Sequence, residues 1–249
     1  MADPVRQIVA FGGGGFSMEP KNPLLDDYVA GLVRRRRPKV CFLPTASGDA
    51  DHYIVRFYKA FGARGCQTSH VSLFRRDGGA PDIRAHLLEQ DLIYVGGGSV
   101  ISLLGAWRAH GLHLVLREAW ERGVVLCGLS AGSLCWFDVG VTAFHGAPEA
   151  VRGLGLLPWS NTVHFDAEPE REAAYRELLV SGGVCEGFAV EDGAALHFEG
   201  ARLARVVSSR PGAKAYRMTC VDGGVERLPL AADYLGGPVE SVTEVAAMA

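Results

Sequence analysis

Residues 124–132 read Val-Val-Leu-Cys-Gly-Leu-Ser-Ala-Gly, an apolar, strand-like run that leads directly into a G-x-S-x-G motif. The stretch after it, residues 133–137, is compatible with a helix. A serine between a strand and a helix occupies a sharp, strained turn in which larger neighbours would clash, so small residues surround it. Such a turn lifts the Ser130 hydroxyl above the sheet, where amides of the next helix point. The motif therefore predicts a nucleophile, and a serine that only caps the helix is the alternative.

Upstream of this motif, the same unit of an apolar strand followed by a turn recurs. Gln7–Phe11 runs into the glycines at 12–15, Lys39–Leu43 ends at a proline, and residues 91–95 run into the glycines at 96–98. Helical patterns separate these strands, and strands that alternate with helices form βαβ units. Because such crossovers are right-handed, we expect an α/β fold with a doubly wound, mostly parallel sheet of the flavodoxin-like type.

The second half of the chain has a different pattern. Short strand-like stretches follow one another with close turns at Gly187–Val190, 194–198 and 203–207. This pattern predicts short antiparallel strands at an edge of the sheet. No repeat, low-complexity tract or linker divides residues 1–249, so we expect one domain. Residues 231–249 show no clear pattern and are predicted to form a loosely packed tail.

Composition and spacing argue against several partners and cofactors. The net charge of −3 does not suit a nucleic acid or an anionic membrane, and the six cysteines form no C-x-x-C pair. A G-x-G-x-x-G fingerprint that starts at Gly12 would need its third glycine where Ser17 stands. We therefore expect no metal and no cofactor. Because the sequence shows no signal segment and no apolar run of about 18 residues, we expect a cytoplasmic location.

A serine nucleophile needs a base, usually a histidine that an acid orients. His164 lies near the end of the strand-like stretch 161–165, which leads into an acidic loop, whereas His145 follows the motif in a glycine-flanked loop. A base above the sheet is expected where a strand ends, so His164 is favoured over His145. Position alone does not choose the acid among Glu191, Asp192, Asp138 and Asp166.

The motifs, taken in order, resemble peptidase E and its bacterial relatives, a branch of the class I glutamine amidotransferase-like fold. Any one match is weak, but the ordered set is specific and spans roughly residues 6–207. The matching segments are residues 8–15, 42–46, 94–98, 128–133, 163–165, 171–172, 176–178 and 191–193.

The resemblance implies a serine dipeptidase that cleaves after an N-terminal aspartate by way of an acyl-enzyme. It implies a Ser-His-Glu triad of Ser130, His164 and Glu191, although Asp192 adjoins Glu191 and stays an alternative. It also implies an oxyanion hole from the amides of Gly97 or Gly98 and of Ala131. The expected partner is a small peptide substrate, and a homodimer is an open alternative to a monomer.

The sequence departs from this resemblance in the region expected to bind the substrate. Arg171 is the basic residue that the resemblance assigns to the substrate carboxylate, but the loop 166–170 before it is acidic. Ser99 stands after the three glycines, where the family usually has an asparagine. Carboxylates near a site disfavour an acidic substrate. Two alternatives therefore stay open: a serine amidase or peptidase of other specificity, similar to the relative that degrades cyanophycin, and a non-catalytic flavodoxin-like binding module.

Overall fold

The computed structural model describes residues 4–74, 82–167 and 169–237. The strands are β1 (Gln7–Phe11), β2 (Lys39–Leu43), β3 (Gln67–His70), β4 (Leu92–Val95), β5 (Val125–Leu129), β6 (Phe137–Thr142), β7 (Glu149–Arg152), β8 (Leu157–Thr162), β9 (Gly187–Val190), β10 (Ala194–Glu199), β11 (Arg202–Ser208), β12 (Ala215–Val221), β13 (Gly224–Leu230) and β14 (Asp233–Tyr234). The helices are α1 (Gly15–Met18), α2 (Leu24–Gly31), α3 (Asp51–Ala63), α4 (Ile83–Leu88), α5 (Val100–Ala109), α6 (Leu112–Glu121), α7 (Ala131–Leu134) and α8 (Pro169–Val180).

The larger sheet brings three loops to one place. Within the described ranges it has eight strands in the order β14-β11-β10-β1-β5-β4-β2-β3. The run β1-β5-β4-β2-β3 is parallel, and β10 and β11 add antiparallel beside β1. Because β5 lies between β1 and β4, the loops that follow these three strands meet at one carboxyl edge of the sheet.

A second sheet was not predicted from the sequence. Its six strands, counted over the same described ranges, have the order β13-β12-β9-β8-β6-β7. The predicted strand Gly187–Val190 is β9 and belongs to this sheet, so its placement at the edge of the parallel sheet was wrong. It pairs parallel with β8 and antiparallel with β12, and all four of its residues are buried. The local sequence pattern indicates that a strand exists but not which strands it pairs with, which explains the error.

The core lies on both faces of the parallel sheet, because alternate residues of a strand point to opposite faces. One core packs α4, α5, α6 and the second sheet against the parallel sheet, with Trp107 and Phe188 among its members. The other core packs α1, α2 and α3 on the opposite face and includes Phe57 and Phe61. The described residues therefore form a mixed α/β fold with two sheets and helices.

The predicted loose tail is only partly described. Asp233–Tyr234 pairs with β11, so the start of this segment belongs to the larger sheet. Residues 238–249 lie outside the described residues. In the part of the chain that the structure describes, no helix has both the length and the apolar character needed to cross a membrane.

Candidate active site

Ser130 occupies the sharp turn that its motif predicts. It follows β5 and precedes α7, with φ 54° and ψ −118°, a conformation that L-residues rarely adopt. A Cβ atom at Gly128 would overlap the carbonyl oxygen of Gly132, and one at Gly132 would overlap the carbonyl oxygen of Val95. Both glycines are therefore required by the close packing of backbone around the serine.

His164 lies in the same cavity as Ser130 and is held by Asp192. It follows β8, has φ 54°, and its Nδ1 lies 2.6 Å from Oδ1 of Asp192. The two side chains are only 15% and 11% exposed. Burial alone would raise the pKa of the Asp192 carboxyl, but the His164 hydrogen bond and nearby cationic side chains outweigh it, so this pKa is lowered. A carboxylate on Nδ1 leaves Nε2 as the atom available to accept a proton.

The implied acid, Glu191, does not contact His164. Its carboxylate accepts hydrogen bonds from the Lys214 amide at 2.8 Å and the Tyr216 hydroxyl at 2.7 Å. Consecutive residues at the end of a strand point to opposite sides, so Glu191 and Asp192 cannot both face the imidazole. The geometry therefore replaces Glu191 with Asp192 as the partner of His164.

The other two candidate acids also have different positions. The Asp166 carboxylate accepts the Asp192 backbone N–H at 2.8 Å, so it holds Asp192 rather than His164. Asp138 lies 3.5 Å from the Arg152 guanidinium. Neither replaces Asp192 on the imidazole ring.

The amides near Ser130 are only partly those expected. The Gly97 N–H donates to the Tyr53 hydroxyl at 3.0 Å, so the assignment of Gly97 to an oxyanion hole does not fit the structure. Gly98 lines the cavity, and neither its N–H nor that of Ala131 donates a hydrogen bond within the described part of the chain. Gly98 and Ala131 therefore remain the two candidate donors to an oxyanion.

A cavity of about 150 Å³ joins these groups. Its lining combines the serine and the imidazole with apolar side chains and a buried arginine: Gly98, Ser130, Leu134, Thr142, Ala143, Phe144, Val163, His164 and Arg171. No hydrogen bond within the described residues joins the Ser130 hydroxyl to the His164 ring. Catalytic hydrogen bonds often tighten only when substrate binds, so shared access to the cavity is the relevant observation.

The alternative base, His145, and the thiol of Cys127, three positions before Ser130, both lie elsewhere. His145 Nε2 lies 2.8 Å from the Ser99 hydroxyl oxygen. Cys127 is fully buried in the core beside α1–α3, and burial raises its pKa well above the usual thiol value.

The Gly12–Gly15 run has a packing role that the sequence did not indicate: a Cβ at Gly13 would overlap Asp192 Oδ1 and lie 3.0 Å from His164 Cε1.

Fold and site together define the class of protein, a mixed α/β enzyme with a serine at a strained strand-to-helix turn beside a His–Asp pair. The model of peptidase family S51 matches residues 8–206. The chain therefore belongs to peptidase family S51, which makes it a peptidase and hence a hydrolase.

Individual relatives agree with this family. The chain is 47% identical over 232 residues to the uncharacterized peptidase YgaJ of Bacillus subtilis (strain 168), which covers 93% of this chain and 100% of that protein. It is 28% identical over 194 residues to a peptidase E of Streptomyces coelicolor, which covers 72% and 74%. A peptidase E of Pasteurella multocida is 27% identical over 202 residues and covers 74% and 80%.

Solved structures share the fold. A peptidase from an acI-B1 actinobacterium superposes with a TM-score of 0.65 at 20% identity, over 92% of this chain and 95% of that chain. A putative peptidase E from Listeria monocytogenes EGD-e gives a TM-score of 0.59 at 17% identity, over 83% and 98%. At these identities the likeness concerns the fold alone.

Proposed function

We propose that this chain is a serine peptidase that hydrolyses short peptides through an acyl-enzyme on Ser130. The observation that carries the proposal is the buried His164–Asp192 pair, which shares one small cavity with a serine in a strained turn. As part of the same proposal, the parallel strands form a doubly wound sheet of the class I glutamine amidotransferase-like type.

The proposed reaction has two stages. The Ser130 hydroxyl attacks the scissile carbonyl while His164 Nε2 takes its proton, and Asp192 stabilises the imidazolium that forms. The N–H groups of Gly98 and Ala131 stabilise the oxyanion. His164 then gives the proton to the leaving amine, and water, activated by the same imidazole, releases the acyl group and restores Ser130.

The proposed specificity is for an N-terminal aspartate. Arg171 lines the cavity and is 5% exposed, so its charge acts where water is largely excluded. The acidic loop opposes this preference less than its composition suggests, because the Asp166 carboxylate is bonded to the Asp192 amide. A charge-assisted contact contributes about 1.5–3 kcal/mol, or roughly ten- to a hundredfold in kcat/KM.

Hydrolysis of Asp-Leu, Asn-Leu and Lys-Leu by the purified protein tests the proposal, together with labelling by a fluorophosphonate probe. We expect label on Ser130 and the highest kcat/KM for Asp-Leu. Equal or faster cleavage of Lys-Leu would discard the aspartyl preference and leave a serine peptidase of other specificity. A protein that neither takes the label nor cleaves any peptide would instead fit a binding module.

A further inference from the structure

The turn between β6 and β7 brings an uncovered aromatic ring to the candidate active site. Thr142, Ala143 and Phe144 line the cavity that contains Ser130 and His164. Thr142 is buried, whereas Phe144 is 57% exposed. A large apolar side chain left open beside a reactive serine is a surface on which an apolar part of the substrate can be buried.

This ring is held in place rather than left on a free loop. The Phe144 N–H donates to the Thr142 hydroxyl at 3.3 Å, and the ring packs edge-on against His145 with centroids 5.0 Å apart. His145 in turn bonds the Ser99 hydroxyl, which also accepts the Ser102 N–H at the start of α5. A hydroxyl can donate one bond and accept another, so both contacts form together. The contact between His145 and Ser99 therefore ties the turn between β6 and β7 to the loop that carries Gly98.

The size of the cavity indicates which part of a peptide meets Phe144. A cavity of about 150 Å³ is below the range of about 300–1,000 Å³ typical of small-molecule sites, so one residue of a dipeptide fits and the other extends past its mouth. The leaving residue departs while the acyl group is still covalently bound to Ser130. The subsite for the leaving residue must therefore open to solvent. Phe144 is the exposed member of the lining, whereas Arg171 is buried.

We propose that Phe144 is a specificity-determining residue that forms the subsite for the leaving residue and favours an apolar, above all an aromatic, side chain there. The inference rests on the proposed serine-peptidase function and deepens it. Because His145 and Ser99 hold the ring in position, binding does not have to order the turn, which lowers the entropic cost of the contact. Contacts between aromatic rings add to the gain from burial, so we expect about tenfold discrimination in kcat/KM.

The experiment compares two dipeptides that share the N-terminal residue best accepted by the wild-type protein and end in Phe or Ala. We expect kcat/KM to be at least about tenfold higher for the Phe peptide, mainly through KM, and Phe144→Ala to lower this ratio about tenfold. His145→Ala should lower the same ratio less, because it removes only the tether. Phe144→Leu should keep part of the preference. Leu114→Ala, which removes an exposed apolar side chain on α6, is the matched control and should leave the ratio as it is.

The outcomes separate the two proposals. If the wild-type protein cleaves no dipeptide and takes no fluorophosphonate label, the proposed function fails and the subsite fails with it. If it cleaves both peptides with equal efficiency, or if Phe144→Ala lowers both values of kcat/KM by the same factor, the serine-peptidase function stands and the role of Phe144 is overturned.

Discussion

The imidazole of His164 is held by Asp192, which lies 28 positions further along the chain, through a contact of 2.6 Å between Nδ1 and Oδ1. The adjacent Glu191 is turned away and bonds the Lys214 amide and the Tyr216 hydroxyl instead. Two neighbouring carboxylates thus have separate partners. Each can be changed to an amide of nearly the same shape, which makes the difference between them measurable.

Asp192→Asn should lower kcat by about 10⁴-fold, because an amide neither fixes the imidazole tautomer nor stabilises the imidazolium. The matched change Glu191→Gln should cost less than about tenfold, because that side chain touches no reacting group. Steady-state kinetics on the best dipeptide measure both, with circular dichroism to check folding. A larger loss from Glu191→Gln would return the role of acid to Glu191.

Ser130→Ala should lower kcat by on the order of 10⁴–10⁶-fold and abolish labelling by a fluorophosphonate, because the nucleophilic oxygen is lost. The variant should still fold, since alanine adds no atoms at the turn. Ser181→Ala removes an exposed hydroxyl beyond α8 and serves as the control for loss of a serine. Wild-type turnover by Ser130→Ala would end the serine-peptidase proposal.

Gly13→Ala should reduce kcat/KM by at least about 100-fold. The added Cβ would overlap Asp192 Oδ1, so the His–Asp pair must move, and a displacement of about 1 Å at a catalytic group can cost this much. Gly62→Ala is the matched control: it lies inside α3, and apart from its chain neighbours and the backbone of its own helix no described atom lies within 4 Å of its added Cβ. That control should keep full activity and gain about 0.5–1 kcal/mol in unfolding free energy. Equal activity in the two variants would contradict the packing role of Gly13.

Asp26 should make stability depend on pH. It is 1% exposed, and burial raises its pKa from 3.8 to about 7, although the Arg64 guanidinium 3.8 Å away opposes the shift. Between about pH 4 and pH 7 the unfolded chain loses this proton while the folded chain keeps it. This group therefore makes the unfolding free energy fall as pH rises through that window, with no further change above it.

The variant Asp26→Asn cannot ionise, so it should lack this fall. The unfolding free energy of Asp26→Asn minus that of the wild-type protein should increase from pH 5 to pH 8 by on the order of a few kcal/mol. Urea unfolding at the two pH values measures the change. Identical pH dependence in the two proteins would show that Asp26 ionises in the folded state as readily as in the unfolded chain.

Much of the parallel sheet and part of the site were predictable, because they depend on local signals. Apolar runs that end in glycine marked β1, β4 and β5, and the G-x-S-x-G motif marked the turn at Ser130, where the two glycines prove to be packed against backbone. The end of a strand-like stretch predicts His164 near the serine, and His164 does line the cavity with Ser130. Its role as the base stays a prediction.

What the sequence could not decide depends on contacts between distant segments. Glu191 and Asp192 are equivalent by position, and only the direction of each side chain at the end of β9 separates them. By sequence the Gly97 amide is an equal candidate to that of Gly98, but the Gly97 N–H donates a hydrogen bond to the hydroxyl of Tyr53, which lies on the distant α3. The partners of β9 likewise depend on long-range pairing that periodicity does not report.

The candidate site takes its residues from two sheets that pack against each other through one shared hydrophobic core. Ser130 ends a strand of the larger sheet, whereas His164 and Asp192 follow β8 and β9 of the smaller one. Beside this core, main-chain contacts join the two sheets at the site: the His164 N–H donates to the Gly12 carbonyl at 3.3 Å, and Gly13 forms a β-bridge with Asp192. Both positions require glycine, because an added Cβ would overlap the Glu191 carbonyl oxygen at Gly12 and Asp192 Oδ1 at Gly13. The position of the His164–Asp192 pair relative to Ser130 therefore depends on this junction of main chain, and the two sheets cannot shift against each other without separating these side chains.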